Sequence, residues 1–549
     1  MRHFRGSSPR ISVMLAVLAM LVAPTAFAEE APAPTTDPVA RADAILGHRP
    51  LDRPGLAVLV ARHGQIVYER NLGGADIEHG VPVTAATRFH IASVSKQFTA
   101  FSILLLAREG KVDLDADIHT YLPELADYGA KVTVSELIHH TSGVRDQWEL
   151  LVLSGMHAED LITQKQILAM AVAQKGLNFA PGTQVVYSNM AYSLLAEIVA
   201  RVSGVSYRQF AHDHIFAPLG MNDTLVYDDA SEMMANRAMS YRTDPKGVVH
   251  LARLNYSNYG ATSVHTTTHD LMKWSQELLH PKVFPVDVVR EAEAPGHLKD
   301  GRPITYAFGM YSADFAGHHA IAHAGADAGF RTNIASFPAE DASIVVFSSG
   351  GEDAGAVTSK MADVFLGHDT AAPPAAPADP VLVGKLAGLY ANGWGPAREL
   401  VARDGRLYVR FSGMMIPATF LPDQSFYVFS PTNRFKRAAN GDLIQLDSLS
   451  GLEIVFHRVV RAAPTAEALQ ALEGDYHSDE LDVTYRLRAK DGKIVVSSLR
   501  SDPVILTPAE PDQFDGDGVR VSVLRDTTGK VGGIALSSGR VRDLRFVRQ

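Results

Sequence analysis

A chain of 549 residues with 46% apolar side chains is long enough for two or three domains and too apolar for long disorder. Its 51 basic and 61 acidic residues leave a net charge of −10, which argues against nucleic acid or another polyanion as partner. The absence of cysteine excludes disulfides, thiolate nucleophiles and Cys-ligated zinc or iron–sulfur centres, so stability has to come from core burial.

The first segment reads as an address. Arg2, Arg5 and Arg10 precede an apolar run from Ile11 to Val22, and Ala26-Phe27-Ala28 offers a small-x-small cleavage site before Glu29. That three-part pattern predicts a signal peptide over residues 1–28, the apolar part being short for an anchor helix. The mature chain is then exported, periplasmic or secreted, with no stable membrane anchor. Residues 29–40 form an Ala/Pro leader.

Leu56 to Arg70 alternates around His63-Gly64 and predicts a β-hairpin. Residues 92–109 predict an apolar-faced helix ending before Gly110, and Tyr192–Val202 and Asp270–Leu279 predict two more. Ala342–Phe347 reads as a buried strand. Strands at both ends of a helical middle point to an α/β domain over residues 41–369 with an antiparallel sheet. Thr370 to Pro380 is a Pro/Ala linker.

After the linker, short strands alternate with Asp-Gly and Asn-Gly turns. Leu386-Ala-Gly388-Leu-Tyr390 recurs as Leu472-Glu-Gly474-Asp-Tyr476 at an offset of 86. Arg403 to Leu407 recurs as Lys490 to Ile494 at 87, and Phe456-His-Arg458 as Phe546-Val-Arg548 at 90. Ordered matches with little drift predict two copies of one small β-domain, over residues 381–461 and 465–549.

Three constellations carry chemistry. Ser93 and Lys96 are three apart at the start of the strongly apolar helix, hence one turn apart on one face. A serine hydroxyl needs a neighbour to take its proton, and a desolvated lysine can be neutral enough to do so. Next, Pro181-Gly182 opens a segment whose alternation predicts extended chain, with Tyr187 and Asn189 on one side. A phenol there relays a proton; an amide holds the lysine and orients a carbonyl. Last, His323-Ala-Gly325-Ala326 places a glycine where a substrate backbone needs close approach, with the Ala326 N–H a candidate oxyanion donor. His318, His319 and His323 raise metal binding as a rival, but no acidic partner sits at ligand spacing, so neither a metal nor another cofactor is expected.

Ser-x-x-Lys, Tyr-x-Asn and His-x-Gly in this order resemble the three motifs of the penicillin-recognising serine hydrolases. Glu109–Leu114, Leu137–Gly143 and Phe216–Met221 are similar to the class C β-lactamase-like branch, so the resemblance spans roughly residues 50–365. It implies that Ser93 is acylated, that Lys96 and Tyr187 share base and acid roles, and that Asn189 positions the substrate. It also implies a β-lactamase/DD-peptidase-like domain followed by two antiparallel β-barrels. His323 departs from the lysine of true β-lactamases and looks like the D-aminopeptidases, whose two-barrel plan the C-terminal half matches.

The expected activity is therefore hydrolysis of a small peptide, amide or ester, in first place a D-aminopeptidase-like reaction. An esterase, a β-lactamase or DD-carboxypeptidase, and a non-catalytic penicillin- or wall-binding protein are the alternatives. A free ammonium group on such a substrate would need an acidic partner, for which the turn-rich loop carrying Asp512, Asp515 and Asp517 is the candidate.

Overall fold

The computed structural model describes residues 37–157, 159–367, 374–411, 414–428, 433–447, 450–516 and 518–549. The segment read as a signal peptide and most of that read as leader lie outside the described residues. Among the described residues no helix is long and apolar enough to cross a membrane.

Six strands form the catalytic sheet: β1 (Leu56–Arg62), β2 (Gln65–Leu72), β3 (Tyr311–Phe315), β4 (His318–Asp327), β5 (Phe330–Phe337) and β6 (Ala342–Ser348). Their order is β3-β4-β5-β6-β1-β2, antiparallel throughout, so the two ends of the domain meet where β1 pairs with β6. His63 and Gly64 both adopt positive φ, the two-residue turn that suits the twist of a hairpin. Strand β6 is buried along its length because both faces are covered. Val345 and Phe347 face the main core, whereas Ala342, Ile344 and Val346 face a second cluster closed by the flanking helices Pro38–Leu46 and Ala354–Leu366. The first of these helices begins three residues inside the segment read as leader, with Asp37 capping and Pro38 at its first turn.

Helix α1 (Lys96–Arg108) is preceded by a 3₁₀ turn, Ala92–Ser95, so the single helix read over 92–109 is two pieces. The helix is buried around most of its circumference. Its polar residues are matched there: Gln97 accepts from the Trp274 indole at 2.8 Å, and Thr99 and the Tyr207 hydroxyl lie 2.7 Å apart. Helix α2 (Asn189–Ser203) packs beside it, and α3 (Thr268–Leu279) covers the sheet.

Among the described residues of the C-terminal half, the regular structure is antiparallel strand apart from one short helix before each unit. Strands from Gly388 to Val459 make one curled, nearly closed nine-stranded sheet, and those from Gly474 to Arg548 a closed eight-stranded barrel. The repeat seen in sequence recurs as contacts. Tyr390 donates to the Leu386 carbonyl at 3.0 Å and Tyr476 to that of Leu472 at 2.8 Å. Arg458 and Arg548 likewise donate to the carbonyls of Ala387 and Glu473. The described part of the linker lies against the first barrel, with the Ala376 N–H donating to the Phe420 carbonyl at 2.9 Å.

Candidate active site

Ser93 sits in the 3₁₀ turn that leads into α1, and the chain reaches it through Ala92 at φ +48°, an uncommon conformation for a side-chain-bearing residue. This turn lies against β4. A Cβ on Gly325 would fall 2.3 Å from the Ile91 carbonyl oxygen and 2.3 Å from Thr332 Oγ1. The glycine therefore makes room for the chain's own nucleophile-bearing turn, and it also lines the cavity beside Ser93.

Lys96 is fully buried, and its Nζ has three neighbours: Ser93 Oγ at 3.1 Å, Asn189 Oδ1 at 2.8 Å and the Ala261 carbonyl at 2.8 Å. Burial pushes its pKa down to about 7, against the pull of Asp327 and Asp146. Two acceptors fix two N–H bonds of a neutral amine, so its lone pair points at the Ser93 hydroxyl. The Tyr187 ring lies 4.7 Å from Nζ, and its hydroxyl is within hydrogen-bonding reach of Ser93. Burial holds that phenol well above its ordinary pKa, so it is a proton donor at neutral pH.

Tyr187 and Asn189 reach this point differently from the extended segment expected. Asn189 is the first residue of α2, Ser188 caps the helix through the Ala191 N–H, and Tyr187 precedes the cap. A short polar side chain two residues before an apolar helical run was the available signal. Asn189 is oriented by Asp146, whose Oδ2 accepts from its N–H at 2.7 Å and its Nδ2 at 2.8 Å. Asp146 is fully buried and was missed in sequence, since its role depends on contact with a residue 43 positions away.

His323 lies on β4 with both ring nitrogens engaged. Its Nδ1 is 2.6 Å from the Ala324 carbonyl, which can only accept, so Nε2 takes the Tyr306 hydroxyl at 3.1 Å. Burial, reinforced by the nearby Lys96, pushes its pKa down to about 3. The imidazole is a neutral wall, with no donor left for a substrate carboxylate. His318 bonds Glu340 at 2.6 Å, while His319 projects from the other face of the strand. The three histidines do not converge.

Around Ser93 opens a cavity of about 510 Å³, lined by Tyr187, Asn189, His323, Gly325, Ala326 and Asp327, among others. Trp148, Tyr311 and Thr332 extend its walls. Burial alone would raise the Asp327 pKa, but His90 at 2.8 Å and Thr262 donate to the carboxylate and hold it below its ordinary value. The cavity also contains Arg540, from the far end of the chain.

The acidic loop does not reach this cavity. Asp512 is paired with Arg525 at 2.6 Å, Glu510 and Asp515 with the buried Arg520 at 3.0 and 2.8 Å, and Asp515 also accepts from the Ala397 N–H. These acids stabilise the barrel and its junction with the first barrel. Asp517 lies outside the described residues.

Comparison with known proteins follows the same outline. Residues 43–366 match the family model described as Beta-lactamase. A D-aminopeptidase of Brucella ovis is 29% identical over 450 residues, covering 80% of this chain and 82% of its own. The octameric penicillin-binding protein homologue from Pyrococcus abyssi aligns with a TM-score of 0.55 at 19% identity, over 84% of this chain and 97% of that one. The D-amino acid amidase from Ochrobactrum anthropi SV3 gives 0.50 at 20% identity, over 60% and 98%. At those identities the two structures show the fold.

Proposed function

The chain belongs to the beta-lactamase family and is a serine hydrolase, and from that premise we propose that it cleaves amide bonds of D-aminoacyl substrates through a Ser93 acyl-enzyme. The observation that carries the roles is the buried Lys96 Nζ, 3.1 Å from Ser93 Oγ, whose pKa burial brings down to about 7 so that a free amine is available there at neutral pH. Lys96 takes the hydroxyl proton as Oγ attacks the carbonyl carbon. The oxyanion is held by the N–H groups of Ser93 and Ala326. Tyr187 passes a proton to the departing amine, and Asn189, fixed by Asp146, keeps Lys96 and the substrate carbonyl in place. Water then attacks the ester, with the same groups returning the protons. The D-aminoacyl preference is supported by the name of the Brucella ovis relative and by the two-barrel plan.

The test is a panel of D- and L-aminoacyl p-nitroanilides, short p-nitrophenyl esters and a chromogenic cephalosporin. Faster turnover of D-alanyl than L-alanyl p-nitroanilide, reduced to background in Ser93→Ala, is the expected result. Ester cleavage alone would make the protein an esterase, and cephalosporin cleavage alone a β-lactamase. Labelling by a fluorescent penicillin without turnover of any substrate would make it a binder. Export is part of the same proposal, supported by the charged, apolar and small-residue stretches before Glu29; the mature protein is expected outside the cytoplasm with Glu29 as its first residue.

A further inference from the structure

The last barrel ends in a hairpin of β7 (Val531–Ser538) and β8 (Val541–Arg548), whose two-residue tip is Gly539-Arg540. That tip enters the catalytic domain. The Arg540 carbonyl accepts from Asn178 Nδ2 at 2.8 Å and from the Asp146 N–H at 3.3 Å, and Ser538 donates to Glu149 at 3.0 Å. Gly539 adopts φ +46°, and a Cβ there would meet Glu149 Oε1 at 2.7 Å, so the tip is seated closely. The backbone of Arg540 is thus fixed, while its side chain projects into the cavity.

The guanidinium carbon lies 5.7 Å from the Tyr187 ring centroid. Its ion-pair partner is Asp146 Oδ2 at 3.5 Å, an oxygen that already accepts two hydrogen bonds from Asn189. A guanidinium has five N–H donors in a fork that suits a carboxylate. About a third of the side chain, 34%, remains exposed. The acids of the cavity are committed, and its other cation, Arg331, is held against the backbone carbonyls of Ala328 and Phe330 through one nitrogen. Asp327 is tied to His90 and Thr262, and Asp353 caps the helix that follows β6. His323, where relatives in the resembling family place a lysine, is neutral.

We propose that Arg540 is the substrate-carboxylate anchor of this active site, supplied by the second barrel, and that the preferred substrates carry an acidic group near the scissile bond. This rests on the amide-hydrolase reading of the same cavity and names its substrate class. The carboxylate is either the C-terminal group of a short peptide or an acidic side chain; both present the same planar anion.

Binding is measured by calorimetry on Ser93→Ala protein, so no turnover is needed. The probes are D-alanyl-D-alanine, its C-terminal amide, D-glutamyl-D-alanine amide and D-glutaminyl-D-alanine amide. The expected result is a preference of roughly tenfold or more for an acidic probe over its neutral counterpart. That ratio falls to about one in Ser93→Ala/Arg540→Ala and returns in part with Arg540→Lys. Which acidic probe shows the preference tells the C-terminal source from the side chain. Equal binding of every acidic and neutral pair, or an equal loss of both on removing Arg540, would overturn the proposal. Failure of wild-type protein to turn over any D-aminoacyl anilide would sink the functional reading instead, and leaves the binding ratios as legible as before.

Discussion

The first barrel buries a core of its own, built on Tyr390, Leu400, Phe426, Phe435 and Phe456, whereas Leu472, Tyr476, Leu487 and Phe546 of the second continue the core of the catalytic domain. Both copies keep the same tyrosine and arginine contacts at their entry, so their difference arose at the surface and not in the plan. The second copy docks through Arg145, which is buried and reaches Glu480 at 2.7 Å and the carbonyls of Arg542 and Asp543. At the equivalent turn the first copy carries Trp394, which lies under Arg542 at 3.7 Å and ties barrel to barrel. The hairpin that brings Arg540 to the cavity has its counterpart in Leu443–Leu446 and Glu453–Val459, where Asp447 is bonded to Ser450. One β-unit thus supplies part of the wall of the cavity while the other keeps a self-contained core.

Four experiments would break or sharpen that contrast. Arg145→Ala leaves Glu480 buried without its partner, which should cost about 3–5 kcal/mol and loosen the second barrel from the catalytic domain; denaturant unfolding together with kcat/KM reads both, and an unchanged midpoint would show the docking is not held there. Gly539→Val forces a side chain against Glu149 at positive φ, an expected cost of about 1–3 kcal/mol that displaces the Arg540 tip. Kinetics should then show the loss of discrimination between acidic and amidated substrates.

The pH profile gives a smaller effect. Catalysis requires Lys96 as the free amine, so kcat/KM rises as pH climbs through about 7, where burial has brought its pKa. Arg540 disfavours a second positive charge nearby. Replacing it with Gln should favour the ammonium form and move the midpoint upward by roughly a few tenths of a pH unit. A midpoint that stays put or moves down would separate the barrel from the catalytic electrostatics. Least of all should the first barrel matter: Phe435→Ala opens a cavity beside Phe426 at a cost of about 3–5 kcal/mol to that barrel. The kinetic constants should remain within experimental error, and a marked fall would mean the two barrels act as one unit.

Tyr187 was legible only through the order of the motifs, whereas Ser93 and Lys96 were legible as a contact at fixed spacing, because one turn converts a three-residue interval into a neighbour whatever the rest of the chain does. The hairpin at His63-Gly64 and the duplicated half were legible for the same reason, each being local or periodic. The leader boundary slipped because an Asp-Pro cap starts a helix inside an Ala/Pro-rich stretch. The acidic loop, for which a plain hairpin tip was the competing reading, could not be decided because charges in sequence do not show their partners, and here Arg520 and Arg525 neutralise them from the neighbouring strand.

By itself the sequence determined the Ser93–Lys96 contact, the antiparallel α/β plan and the repeat, each read from local or periodic pattern. Tertiary structure alone decided that Gly325 serves the chain's own turn, that Asp146 holds Asn189, and that a cation from residue 540 lines the cavity. Those depend on which surfaces meet when domains pack, and a burial-driven fit between Arg145, Glu480 and a hairpin tip leaves no spacing to read.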